Sequence, residues 1–367
     1  MKVNFFKTDL MNGINMVIKA VSSKTTMPIL ECILLDASAD TVRLTGNDME
    51  LAIETSVPAV ITESGKTAID AKLFSEIVRK LPDEEVYISS GDGDTVNIKS
   101  GKASFTVPSR DGEDFLAMPV MEKKDYICLS EFTLKEMIRQ TIFSAAANEN
   151  NKLMTGELFE VKDGMLRIAA LDGHRIAVRK EVLRDNYSDK KVVVPGKTLN
   201  EIQRIIPGDR EKDVYVFFAK NHILFEFGDT MVLSRLIEGE YFNIERMISG
   251  DYETKVTLNK KDFTDIIDRS ILLIRESDKK PLVMDVREKE MKLSLTSMMG
   301  SMKDEIEIDK KGNDLMIAFN PRFLLDCMRV IDDEEIKLFM TDHRSPCFIR
   351  DEEQRYIYLI LPVNLNV

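Results

Sequence analysis

The chain of 367 residues has no tryptophan, three histidines and four cysteines, and each scarcity removes a class of function. Cys32, Cys128, Cys327 and Cys347 lie far apart with no CxxC pair, so neither a zinc site nor a disulfide framework is expected. Buried reduced thiols are the expectation instead. The histidines, His174, His222 and His343, come without a GxSxG, HExxH or Walker signature. Asp172 beside His174 is the one pair with a catalytic look, and it lacks a nucleophile or a metal to act on. The expectation is therefore no enzyme, no cofactor and no metal. No run approaches the ~18 apolar residues of a membrane span, and MKVNFFKTDLMNGI lacks the long apolar core of a secretory signal. A cytoplasmic protein away from membranes is expected. A formal net charge of −12 argues against gripping nucleic acid with the whole surface, because phosphate contacts need Lys and Arg.

What is present is repetition. KLFSEIVRKLP (72–82) returns as KTLNEIQRIIP (197–207), 125 residues on. Phe74, Ile77, Val78 and Leu81 in the first copy, and Leu199, Ile202, Ile205 and Ile206 in the second, keep the spacing of an amphipathic helix closed by proline. FNPRFLLDCMRVI, with Leu324, Cys327, Met328 and Ile331, is a third copy without the closing proline. Around these helices the order strand, helix, three strands occurs six times. The first helices of the three pairs carry Leu10, Ile14, Val17, Ile18 and Val21, then Leu134, Ile138, Thr141, Ile142 and Ala145, then Phe263, Ile266, Ile267, Ser270 and Ile271. GDGD (91–94) reads as a hairpin turn, since no helix follows it to make a phosphate loop. The fold expected is α+β, with three repeated domains at 1–122, 125–247 and 252–367, each of two β-α-β-β-β units, joined by short polar linkers.

Formal charges over the six predicted helices sum to +7, leaving −19 elsewhere. Helices turned inward would line a mildly positive central channel, with the sheets outside, suited to a polyanion held loosely. No aromatic platform and no arginine-rich arm is present, so base-specific reading is not expected.

The three-fold duplication, together with KTTMPIL (24–30), ALDGHRIA (170–177), SRLIEGEYF (234–242) and YLILPVNL (358–365), resembles the bacterial DNA polymerase III beta subunit family, the sliding clamps, over essentially the whole chain. The resemblance implies a DNA clamp fold and a head-to-tail homodimer closed into a ring around duplex DNA without sequence specificity, conferring processivity. Candidate channel residues are Lys24, Arg79, Lys80, Lys197, Arg204, Arg269 and Arg322. The implied seam takes Lys102, Phe105 and Val107 from the first domain and Ile271 and Leu272 from the third. Where the family sets a run of acidic residues against that edge, TSMMGSMKDEIE offers only Asp304, Glu305 and Glu307, which thins the ionic part.

The resemblance also implies a pocket for short linear peptides of the replicative polymerase, clamp loader, translesion polymerase and mismatch-repair proteins. Its positions here are Leu171, Gly173, His174, Arg175, Ile176, Phe242, Arg246, Met247, Asn320, Phe323, Arg344, Pro346, Leu359, Leu361, Pro362, Val363, Asn364 and Leu365. Apolar burial would dominate affinity, with Arg and backbone groups orienting the ligand. Leu171, Phe242 and Asn364 stand where the family usually has threonine, proline and a basic residue, so a greasier pocket is expected. The alternative is a multidomain peptide-binding scaffold that never encircles DNA, which accounts for the pocket but not for the basic helices.

Overall fold

The computed structural model describes residues 1–22, 25–82, 84–90, 93–147, 151–275 and 280–364. Lys24, Leu365 and the first two residues of the GDGD turn lie outside the described residues. Seven helices are present among them: α1 (Lys7–Val17), α2 (Ala71–Lys80), α3 (Glu131–Arg139), α4 (Gly196–Ile205), α5 (Ile244–Ile248), α6 (Lys260–Ile271) and α7 (Pro321–Val330). The predicted apolar stripes are what these helices bury. Phe74, Ile77 and Val78 of α2 and Leu324, Cys327 and Met328 of α7 are covered, as are Phe263, Ile266 and Ile267 of α6.

Several starts are set by Asx caps, whose side-chain oxygen takes one of the helix's orphan N–H groups. Asp70 accepts from Leu73 N (2.7 Å), Asn259 from Asp262 N (3.1 Å) and Asn320 from Arg322 N (3.0 Å). One predicted helix comes out differently. The helix expected over 132–147 stops at Arg139: Thr141 (φ −126°, ψ −37°) leaves the helical conformation and the chain tightens into a 3-10 turn, Ile142–Ser144. The run LAIETSVPAV breaks at Pro58 into strands Leu51–Val57 and Ala59–Glu63, since proline offers no ladder N–H.

The chain divides into two compact units. The first comprises Met1–Leu134 and Glu201–Leu236, the second Lys135–Asn200 and Ile237–Val367. The division thus runs through the central repeat rather than between repeats. The first unit carries a thirteen-stranded antiparallel sheet with α1 packed beside α2. The second carries a nine-stranded and a four-stranded sheet, with α6 packed beside α7.

Sheet continuity explains this grouping. In the first unit, strand Thr230–Arg235 pairs with Leu51–Val57, placing Leu233 opposite Ala52. In the second, Tyr356–Ile360 pairs with Arg175–Val182, placing Tyr358 opposite Ala177. The two junctions are the same junction repeated, since Leu233 to Tyr358 and Ala52 to Ala177 are both steps of 125 residues.

Cys32, Cys327 and Cys347 are buried as expected, whereas Cys128 is only half-covered. Burial pushes the Cys347 thiol up to about 12, which keeps it protonated and unreactive. Among the described residues no helix is long and apolar enough to cross a membrane, and no group of three His, Cys, Asp or Glu is placed to hold a metal.

Candidate functional site

The second unit gathers the largest share of the predicted pocket residues around the DGHR turn. Gly173 holds φ at +87°, a conformation that glycine adopts without strain. That bend lets Asp172 Oδ1 accept from both His174 N (3.0 Å) and Arg175 N (3.2 Å). The chain then enters strand Arg175–Val182 with the Arg175 side chain directed inward, only 11% exposed.

Arg175 is fully engaged. Its guanidinium donates to Asp172 (3.0 Å), to Asp326 on α7 (2.6 Å) and to the Phe143 carbonyl (2.6 Å). It also lies over the rings of Phe323 (4.5 Å) and Phe143 (5.4 Å). His174 also stacks on Phe323, at 6.1 Å between ring centroids. The arginine was expected to orient a ligand; the structure makes it the post on which the turn, α7 and the Ile142–Ser144 turn are hung. Asn320 likewise serves as the α7 cap.

Beside this post lies an apolar cluster containing Leu171, Ile176 and Leu359, with Phe242 packed against it. Four of the predicted pocket residues are thereby brought together. Ile176 and Leu359 face one another across the strand pair, and Leu359 is opposite Phe348 on its other side. The segment after Ile360 continues the wall, as Leu361 N donates to the His174 carbonyl (2.9 Å) and Val363 N to the Ala318 carbonyl (2.7 Å). Leu361 remains 40% exposed and Pro362 and Val363 are half-buried.

Arg246 and Met247 project from the outer face of α5, whose Ile244 and Ile248 go into the cluster. Arg344 is exposed and Pro346 half-buried on the turn before strand Cys347–Arg350, and Asn364 is exposed. The sequence reading missed Leu153, Met154, Ile237, Tyr241, Phe339 and Phe348, which all line this cluster. Their signal was available only in part, since an apolar residue in a strand reads the same whether it faces a core or a groove.

Of the channel candidates, Arg79 and Lys80 are exposed on the last turn of α2, and Arg322 is exposed on the first turn of α7. Lys197 is exposed on α4. Arg204 and Arg269 are committed within the chain, to Glu201 (2.8 Å) and to Asp304 (2.7 Å). The Arg269 contact holds the Asp304 carboxyl below its ordinary range.

Of the seam candidates, Leu272 is 75% and Phe105 40% exposed, and Lys102 is exposed. Ile271 is half-buried against the core of the second unit. Val107 corrects the expectation: it shares a strand face with Phe105, yet at 6% exposure it is already covered within the single chain, opposite Val96. Near Leu272 the reading missed Met298 and Met299, 99% and 52% exposed at a hairpin turn. A Cβ on Gly300 of that turn would touch Leu273 at 3.7 Å, so the turn lies beside the end of α6.

Three family models match the chain in order: DNA polymerase III beta subunit N-terminal domain over residues 1–119, central domain over 128–243 and C-terminal domain over 245–364. The beta sliding clamp of Staphylococcus epidermidis is 34% identical over 363 residues, covering 96% of each chain. That of Staphylococcus aureus is 33% identical over 373 residues, covering 99% of this chain and 98% of its own. Among solved structures, a chain from Eubacterium rectale given as a DNA polymerase III beta subunit superposes with a TM-score of 0.96 at 53% identity, covering all of both chains. The Bacillus subtilis DNA polymerase sliding clamp gives 0.96 at 32% identity, covering 100% of this chain and 99% of its own.

Proposed function

The chain belongs to the DNA polymerase III beta subunit family, a sliding clamp and not an enzyme, and we propose that it works in the cytoplasm as a head-to-tail homodimer closed around duplex DNA. The observation that carries this reading is an unfilled place in the strand pairing. Each of the two junctions joins the last strand of one repeat to the fourth strand of another, and the 125-residue period assigns one more strand of each kind. These are Ala103–Asp111 and Gly300–Glu307.

Both have room. Among the described residues, Gly300–Glu307 is the outer strand of its four-stranded sheet. Ala103–Asp111 pairs on one side along 103–108 but meets its other neighbour only at 109–111. An exposed row of N–H and C=O groups is a template for another strand. A third junction between copies would satisfy both edges, and being heterologous it yields a ring when the rotation closes. Phe105 on one strand, with Leu272 and Met299 beside the other, supplies apolar surface for that seam. The exposed cations of α2 and α7 are fit to meet phosphate without reading bases.

The Leu171, Ile176, Phe242 and Leu359 cluster is suited to the Leu and Phe side chains of short peptides from the replicative polymerase, clamp loader, translesion polymerase and mismatch-repair proteins. Phe242, half-buried, adds apolar surface to it, and Leu171 packs beneath.

A topological clamp stays on a closed circle and slides off a free end. Loaded onto nicked circular plasmid by a clamp loader, the protein is expected to co-elute with the circle through a wash at about 0.5 M salt, and to be lost after linearisation. Equal retention on linear DNA with a steep salt slope would make it an ordinary binder and overturn the ring.

A further inference from the structure

We propose that Glu157 is a positioning residue for the peptide pocket: its protonated carboxyl pins the turn that follows α3, that turn holds Arg175, and loss of the proton weakens peptide capture. The inference rests on the pocket reading above.

Glu157 sits in strand Gly156–Lys162 opposite Val194 and is wholly buried. Among the described residues neither carboxyl oxygen has a donor within hydrogen-bonding geometry. Its polar neighbour is the Thr141 hydroxyl. That hydroxyl spends its one proton on the Met137 carbonyl at 2.7 Å, so towards Glu157 it presents lone pairs. A carboxylic acid donating to Thr141 Oγ satisfies the pair, and a carboxylate facing those lone pairs does not.

In the segment that follows α3, Gln140 Oε1 and Ser144 Oγ are also buried without partners among the described residues. The titratable neighbour is Tyr241, whose hydroxyl donates to the Gly156 carbonyl (3.3 Å) and whose phenol is kept protonated by burial and by Glu157. Burial accordingly pushes the Glu157 carboxyl up to about 8.

Five residues connect this carboxyl to the pocket. Ser144 N donates to the Thr141 carbonyl (3.0 Å) and Ala145 N to the Ile142 carbonyl (3.1 Å), closing the turn. The Phe143 carbonyl then receives Arg175, and the Phe143 ring lies 5.6 Å from that of Tyr358. The turn is therefore tethered at Thr141 on one end and at Arg175 on the other. The 125-residue period puts Cys32 and Leu282 at the same strand position in the other two repeats, so the carboxyl occurs only in the repeat that carries the DGHR turn.

The sign of the pH effect follows from the raised value. Between the ordinary 4.5 and about 8 the unfolded chain has released this proton while the folded one keeps it, so stability falls as pH rises through that window and levels off above it. Peptide affinity falls later, as the folded protein itself loses the proton.

The test is anisotropy of a labelled Leu-Phe peptide with the full chain, Glu157→Gln and Glu157→Met, from about pH 6.5 to about 9.5. Wild-type affinity is expected to fall about fivefold or more from neutral to alkaline pH beyond any fall in the glutamine variant, whose amide still donates to Thr141. The methionine variant, without a donor, is expected to bind more weakly than Gln at every pH. Every other group is common to the wild type and the glutamine variant, so the glutamine profile subtracts their contribution. Parallel profiles for wild type and Gln, or equal affinity of Met and Gln, would overturn the role of Glu157 alone. Absence of peptide binding by every chain at every pH would instead overturn the pocket, and this role with it. Should Glu157→Met fail to fold, the comparison of wild type with Gln still decides.

Discussion

Replacing Arg175 by alanine is expected to destabilise the second unit by about 3 kcal/mol or more and to abolish peptide capture. The magnitude comes from what is left behind. Asp172 and Asp326 lose a cation at 3.0 and 2.6 Å, the Phe143 carbonyl loses its donor, and Phe143 and Phe323 lose the plane stacked against them. Removing one partner of a covered ion pair costs more than the pair contributed, because the remaining charge stays partly out of water. Asp326 is 31% and Asp172 16% exposed, so some hydration is recovered and the low end of the usual 3 to 5 kcal/mol range is appropriate. Arg175→Lys should recover little of this, as one ammonium cannot meet three acceptors held in a fork. Urea unfolding followed by circular dichroism, alongside peptide anisotropy, checks both halves. A loss below about 1 kcal/mol would mean that the Asp172 and Asp326 contacts are solvent-screened and that Arg175 is free to serve a ligand.

That inward role of Arg175 was out of reach of the sequence for a definable reason. The DGHR motif is local, and its turn geometry follows from Asp172 and Gly173 alone. Its partners are not local: Asp326 is 151 residues away and Phe143 32. The helices were legible because the apolar period and the caps are local, and α7 falls on the residues expected of it because Asn320 and Pro321 mark its start. α5 was not, because five residues with Ile244 and Ile248 as its buried pair are too short to show a period. The end of α3 was not legible, because Thr141, where the chain leaves the helix, reads in sequence as one more member of an apolar stripe. Strand pairing was legible only through the repeat. The 125-residue period announces that junctions recur, but which strands stand at an edge depends on pairings such as Thr55 with Thr230, whose hydroxyls meet at 2.8 Å across 175 residues.

Leu272→Asp is expected to raise the dimer dissociation constant by about three orders of magnitude, equivalent to about 4 kcal/mol, the size of a strong interface hot spot. Leu272 is the better target than Ile271, because Ile271 packs on the core of its own unit and its loss would confound folding with assembly. Phe105→Asp is expected to act in the same direction on the opposite strand, because a carboxylate at either position replaces apolar seam surface with a charge that must be desolvated on assembly. Sedimentation at micromolar concentration should show each variant as a monomer, with the far-UV circular dichroism of the folded chain unchanged because both side chains are exposed in the single chain. The decisive arm mixes the two. In a head-to-tail contact one seam of the mixed pair joins an intact Phe105 strand to an intact Leu272 edge, while the other seam carries both aspartates. The mixture should therefore recover an open dimer joined once, which sediments as a dimer yet fails to stay on circular DNA. A seam in which the same patch met itself would instead leave the mixture as weak as its parents, and dimers of undiminished strength in the single variants would remove this edge from the interface altogether.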